Sequence, residues 1–186
     1  MSLQPVSGDA AGFKAALGSF AAGVNVITLR DDEGRPLGMT ATAFSSVSAD
    51  PLLVLVCMNR STRSYEQVAA TGRFGVNILA AAAREVSDHC SRPGSDKYLA
   101  PEWLAEHSEW HAPALAGALA YLDCETERDV TAGTHAVLIA RVRAIGLDTA
   151  APLEKEPLLH FRGGYRQLQR TAPQPRPLAT SVKEYA

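Results

Sequence analysis

Two long runs late in the chain restrict its possible folds more than any other feature. From Leu119 to Val130 the side chains alternate. Leu119, Tyr121, Asp123, Glu125, Glu127 and Asp129 fall on one side, and Ala120, Leu122, Cys124, Thr126, Arg128 and Val130 on the other. A sustained period of two is the spacing of a β-strand. Thr131-Ala132-Gly133-Thr134 supplies a turn, and His135 to Leu147, rich in Val and Ile, returns. Long antiparallel strands across a tight turn predict one wall of an antiparallel barrel, with the acidic side of the first strand in solvent.

The other predicted strands are shorter. Val24 to Leu29 is rich in β-branched residues, and the turn-forming Asp31-Asp32-Glu33-Gly34-Arg35-Pro36 leads from it into Gly38 to Asp50, so these runs read as a hairpin. Asp50-Pro51 ends the Gly38–Asp50 strand, because proline lacks a ladder donor. Leu52 to Met58 is apolar on both faces and reads as a central strand. Arg73 to Leu79 and Pro157 to Phe161 complete the set. Helices are few. Asp9 caps one with Phe13, Ala16, Leu17 and Phe20 on one stripe, stopped by Gly23; Ser61 or Thr62 caps a second that ends at Thr71-Gly72; a third runs from Ala80 to about Cys90. Tyr98 to Pro113 is mostly irregular, with surface histidines at His107 and His111. The expected class is mainly β with flanking helices, as one domain over 1–169 followed by a proline-rich tail over 170–186.

Gly38-Met-Thr-Ala-Thr-Ala-Phe-Ser-Ser-Val-Ser-Ala-Asp50 is unusual for a strand, because neither face could fill a core. Thr40, Thr42, Phe44, Ser46 and Ser48 share one side, and Ala41, Ala43, Ser45 and Val47 the other. A row of hydroxyls and methyls beside exposed backbone suits a large, flat, polar-edged ligand. The helix start at Asn59-Arg60-Ser61-Thr62-Arg63-Ser64 can bind an anion, since its free N–H groups and dipole stand beside hydroxyls and arginines.

Composition removes several function classes. A net charge of -2 gives no electrostatic reason to expect nucleic acid. The three cysteines, Cys57, Cys90 and Cys124, are widely spaced, which fits a reducing cytoplasm better than a disulfide framework or a zinc site. Met1 to Gly12 has neither a basic nor an apolar leader region, and the longest strongly apolar run is too short for a membrane span, so neither secretion nor a membrane is expected. No GxGxxG, P-loop or GxSxG motif occurs.

Several segments, in order, resemble the short-chain flavin reductases, the reductase partners of two-component flavin monooxygenases. They are Phe13 to Val24, Gly38 to Pro51, Cys57-Met-Asn-Arg-Ser61, Phe74 to Leu79, Arg92 to Tyr98, Pro113 to Cys124, Ala132-Gly-Thr-His135 and Arg162-Gly-Gly-Tyr165. The resemblance implies an FMN-binding split β-barrel of Greek-key type, usually a homodimer, that uses NADH or NADPH to reduce FMN or FAD and passes the reduced flavin to a monooxygenase. It places Thr40, Ala41, Thr42 and Ala43 at the isoalloxazine ring. Ser45, Ser46, Asn59 and Ser61 serve the ribityl chain and phosphate, with Cys57 and Thr62 in the same cofactor-binding set. His135 is the implied catalytic residue and, with Arg162 and Tyr165, the implied nicotinamide site. The family commonly has Gly-Asp-His where this chain has Gly133-Thr134-His135, and often two prolines where it has Asp50-Pro51-Leu52. The first departure removes a carboxylate beside the imidazole and leaves open an alternative, a flavin-binding carrier or sensor without nicotinamide-dependent activity.

Overall fold

The structure is a computed structural model describing residues 3–94, 97–106, 109–149 and 155–168. Helix α1 (Ala10–Gly18) starts at Asp9, whose carboxylate accepts from the N–H groups of Ala11 and Gly12, both at 2.9 Å. It ends at Gly18, before the expected stop. Ser19 closes it by donating to Ala16 O, and Gly23 instead lies in the short strand β1 (Ala22–Gly23). The apolar stripe of Phe13, Leu17 and Phe20 is exposed in the single chain.

Seven strands form the main sheet: β2 (Asn25–Arg30), β3 (Pro36–Ala41), β4 (Phe44–Ala49), β5 (Leu52–Asn59), β6 (Arg73–Leu79), β7 (Ala118–Ala132) and β8 (His135–Leu147). Their spatial order is β3-β2-β6-β7-β8-β5-β4, with every pairing antiparallel. The β2–β3 hairpin, the central position of β5 and the long β7–β8 pair match the expectations. Across a flat sheet β3 and β5 would stand about 24 Å apart, at about 4.8 Å per strand spacing. They pack against each other instead, and Leu37, Met39 and Ala41 share one core with Val54, Val56, Met58, Leu138 and Phe74. The sheet is therefore curled into a barrel.

The Gly38–Asp50 run is two strands rather than one. β3 and β4 follow each other in the chain yet occupy opposite edges of the sheet, and Thr42-Ala43 crosses between them. An unbroken strand could not do this, because β3 must pair with β2 while β4 must pair with β5 on the far edge. At the crossing, Cys57 N donates to Ala43 O at 3.0 Å, which continues the β4–β5 ladder by one residue, while β3 and β4 are not paired with each other among the described residues. β4 is an edge strand, with a bulge at Val47 between the Ser46 and Ser48 pairings.

Helix α2 (Arg63–Thr71) is capped by Thr62 and stopped by left-handed Gly72. Its Val68 packs into the barrel core. A short 3-10 turn (Ala81–Ala83) leads into α3 (Arg84–Ser91), which covers the outer face of β2 and β3. A second apolar cluster forms there from Val24, Val26, Val86, Cys90, Leu99 and Leu158, so β2 is buried on both faces. Among the described residues from Tyr98 to Pro113, the only regular element is the 3-10 turn Pro101–Trp103, beside isolated bridges at Tyr98 and Leu104, in line with a mostly irregular segment. A small sheet of β1, β9 (Leu159–Phe161) and β10 (Gly164–Arg166) closes the α3 side.

One expectation for β7 fails. Tyr121 and Asp123 are buried rather than solvated. A register shift follows Asp123, and the preceding half of the strand lies under the 110–113 segment; there Asp123 accepts from His111 Nδ1 at 3.1 Å and from the Tyr121 hydroxyl at 3.3 Å. Only beyond Cys124 does the acidic side reach solvent, with Glu125 and Glu127 paired to Arg143 and Arg141. His111 is exposed, as expected; His107 and the 169–186 tail lie outside the described residues.

Candidate active site clefts

At the crossing, Thr42 and Ala43 link the end of β3 to the start of β4. Both residues are exposed, and neither backbone N–H carries a hydrogen bond among the described residues. Cys57, half-buried, lies opposite Ala43 at the end of the β4–β5 ladder. Ala41 is buried in the barrel, whereas Ser45 and Ser46 stand exposed on the β4 edge opposite Leu55 and Val54.

On one side of the crossing is a cleft of about 450 Å³, lined by Thr40, Thr42, Arg84, Asp88, His160 and Tyr165, among others. The Thr40 hydroxyl donates to Ser87 O at 2.7 Å, and Ser87 Oγ meets the Tyr165 hydroxyl at 2.8 Å, so β3, α3 and β10 are tied at one point. Burial pushes the Tyr165 phenol up, Asp88 adding to the effect against the Ser87 hydrogen bond, so the ring stays neutral near pH 7. The Arg84 guanidinium lies 5.0 Å from the Tyr165 ring centroid and 3.4 Å from the Asp88 carboxylate. Arg162 stays outside this cleft. It occupies the β9–β10 turn at φ 50, beside Gly163 at φ 74; its N–H donates to Gly18 O and its guanidinium lies over Phe161.

A second cleft, about 440 Å³, opens at the start of α2 between Ser61, Thr62, Arg63, Ser64 and Lys97. Thr62 Oγ1 accepts from Tyr65 N and donates to Asn59 O at 2.8 Å; Asn59 Oδ1 accepts from the N–H and hydroxyl of Ser61. Thr62 is thus the cap, and Ser61 belongs to the turn before it. Arg63 is already engaged, with Asp31 at 3.1 Å and the Tyr98 hydroxyl at 2.9 Å. Among the described residues the Lys97 ammonium has no hydrogen-bond or ion-pair partner, so it is a cation available beside this helix start.

The third cleft, about 520 Å³, joins Asn59, Arg60, Ser61 and Tyr65 to the β7–β8 turn at Gly133 and Thr134. Arg60 N donates to Thr134 O at 3.1 Å, and Asn59 pairs in register with His135. His135 is exposed, and its Nδ1 lies 3.0 Å from Thr134 Oγ1. Thr134 therefore provides a neutral hydroxyl contact where a carboxylate was expected from the resemblance. Within one chain, His135 joins the Asn59–Ser61 group, while Tyr165 joins Thr40 and Thr42.

Residues 17–169 match the profile of the flavin reductase like domain. The chain belongs to that family. A reductase component of a flavin-dependent trigonelline monooxygenase from Acinetobacter baylyi is 42% identical over 127 residues, 68% of this chain and 40% of that protein. The chain thus spans less than half the length of this relative. The reductase subunit HsaB of a flavin-dependent monooxygenase from Rhodococcus jostii is 36% identical over 168 residues, 88% of this chain and 81% of that one. Among solved structures, the NADH:FAD oxidoreductase SgcE6 of Streptomyces globisporus, in complex with NAD and FAD fragments, superposes with a TM-score of 0.79 at 29% identity, covering 92% of this chain and 98% of that chain.

The residues at the crossing fit the flavin such a family member handles. Free N–H groups suit the polar edge of the ring, the β4 serines suit a polyol, and the α2 start with Lys97 suits a phosphate. The family match left Arg84, Asp88, Ser91, His160 and Lys97 unmarked. For three of them a signal was present, since Arg84, Asp88 and Ser91 recur at helical spacing on one face of α3.

Proposed function

We propose that this protein is an NAD(P)H-dependent flavin reductase that reduces FMN or FAD and supplies the reduced flavin to a partner monooxygenase. The observation that carries the reading is the exposed crossing at Thr42-Ala43, with its free N–H groups, together with three clefts whose linings include Thr40, Thr42, Asn59, Ser61 and Thr62, half of the residues expected at the flavin. A bound flavin supplies the hydride-accepting chemistry, taking two electrons from reduced nicotinamide. The chain's task is then binding and orientation rather than proton transfer. Thr42 and Ala43 offer N–H donors to the ring edge. Ser45, Ser46, Asn59 and Ser61 offer hydrogen bonds to the ribityl chain, and Ser61, Thr62 and Lys97 receive phosphate. His135 and Tyr165 are assigned to the nicotinamide side, with Arg162 steering from the neighbouring turn. A homodimer is part of the proposal, supported by the exposed Phe13, Leu17 and Phe20 stripe on α1. A cytoplasmic setting without nucleic acid is supported by the free cysteines and the net charge of -2. Among the described residues, no helix is long and apolar enough to cross a membrane.

Purified protein mixed with NADH or NADPH and with FMN or FAD is expected to remove the long-wavelength nicotinamide absorbance faster than the same mixture without protein. Failure with both nicotinamides and both flavins would make the protein a flavin carrier or sensor instead. His135→Ala is expected to weaken the nicotinamide interaction several-fold more than flavin affinity, read as KM for NADH against flavin Kd; an equal loss of both removes His135 from that role.

A further inference from the structure

His160 was not among the residues expected to act, yet its surroundings are those of a binding group. It sits on β9 directly opposite Tyr165 of β10, so the two side chains share one face, with ring centroids 6.2 Å apart in an edge-on arrangement. That face borders the cleft that also contains Thr40 and Thr42. The imidazole is half-buried, and neither ring nitrogen has a hydrogen-bond partner among the described residues. His89 and His111, by contrast, spend a ring nitrogen on Tyr98 O and on Asp123. His135 spends one on Thr134.

The lining of this cleft limits what His160 can meet. Tyr165 provides a flat ring whose hydroxyl is fixed by Ser87, and Arg84 lies against that ring. Asp88 brings an acceptor into the same space. A phosphate there would gain Arg84 but face the Asp88 carboxylate. A planar amide on a flat heterocycle matches better, because its carbonyl can accept from an imidazole N–H while its N–H donates to a carboxylate. Both the nicotinamide carboxamide and the pyrimidine edge of a flavin have this chemistry.

We infer that His160, together with Tyr165 and Asp88, binds the carboxamide of the nicotinamide beside the flavin at Thr40–Ala43. The inference rests on the reductase reading and adds to it a second histidine, on a different strand from His135. His160 contributes a hydrogen bond and a wall, and the Tyr165 ring contributes the stacking surface.

The test uses oxidised NAD, which binds without turnover. Its affinity for the FMN-loaded protein is measured by calorimetry, and FMN affinity by flavin fluorescence, for the wild type, His160→Phe and His160→Gln. His160→Phe is expected to weaken NAD about tenfold, the loss of one hydrogen bond, and to leave FMN affinity within about twofold. His160→Gln, which keeps a donor, is expected to recover most of the loss. NAD affinity unchanged in His160→Phe overturns the assignment. A parallel fall in FMN affinity also overturns it, by moving His160 to the flavin edge. NADH consumption by the wild type with FMN is run alongside. Its absence overturns the reductase reading and the assignment with it, whereas normal consumption with an unresponsive His160→Phe removes the assignment alone.

Discussion

Gly38→Val is expected to cost about 3 kcal/mol of stability and to abolish flavin-dependent NADH consumption together with it. A Cβ at Gly38 would stand 2.5 Å from Cys90 Sγ, 3.0 Å from Leu99 Cδ2 and 3.2 Å from Val26 Cγ1. All three are side-chain ends, but each is buried in the packed cluster between α3 and the barrel, where rotating one aside drives it into its neighbours. Relief requires α3 to lift from β3. That displacement carries away Ser87, which holds Thr40 and Tyr165, and with it Arg84 and Asp88. It also disturbs Lys97, whose carbonyl accepts from Gly38 N at 3.0 Å. Gly23→Ala is the control, since a Cβ there meets nothing within 4 Å. Urea unfolding measures both. A Gly38→Val protein within about 0.5 kcal/mol of wild type would show that α3 yields without cost.

The second large effect is expected at Asp31, in the β2–β3 turn. Its side chain is 1% exposed and accepts from Arg35 Nε at 2.9 Å, Arg63 at 3.1 Å, the Tyr98 hydroxyl at 3.1 Å and the backbone N–H groups of Glu33 and Arg35. Burial alone would raise this carboxyl, but the hydrogen bonds from Arg35, Tyr98 and Glu33 outweigh it and hold the group at about 2. Asp31→Ala leaves two guanidinium groups and a phenol without their shared acceptor, and is expected to lower the thermal midpoint by several degrees. It also frees Arg63 at the α2 start. Flavins carrying phosphate should then bind differently from riboflavin, while riboflavin itself is unaffected. The acid dependence has a definite sign. The native carboxyl titrates below its unfolded value of about 3.9, so its contribution is complete above that pH and is lost as pH falls toward 2. The stability gap between wild type and Asp31→Ala should therefore close between pH 4 and 2; a gap constant over that window would mean that the charge contributes nothing.

The strands were legible because period two and β-branched content act locally, and Arg73–Leu79 and His135–Leu147 were read to the residue. Three features were not legible, each for a long-range reason. The break at Thr42-Ala43 is imposed by partners on opposite edges of a curled sheet, which no local pattern records. Asp123 follows the same alternation as Glu125, but the segment over it comes from elsewhere in the chain. The stripe on α1 predicts a helix correctly and says nothing of what covers it. For the site, the resemblance and the hydroxyl-rich run marked the crossing residues. The sequence could not divide them among clefts, because Asn59 meets His135, and Thr40 meets Tyr165, only through β-pairing and the α3 contact. His160 carried no signal at all beyond its residue type.

The bulged, serine-bearing edge of β4 has a consequence for how this barrel behaves in concentrated solution. An open seam leaves strand edges with unsatisfied backbone groups, the usual template for runaway chain-to-chain stacking. At β4 the bulge at Val47 breaks the regular spacing an incoming strand would need, and Ser45, Ser46 and Ser48 leave Val47 as the one large apolar side chain exposed along the described strand. If the β4 rim receives the flavin as proposed, the same serines that would meet the ligand also make this edge a poor template for strand addition.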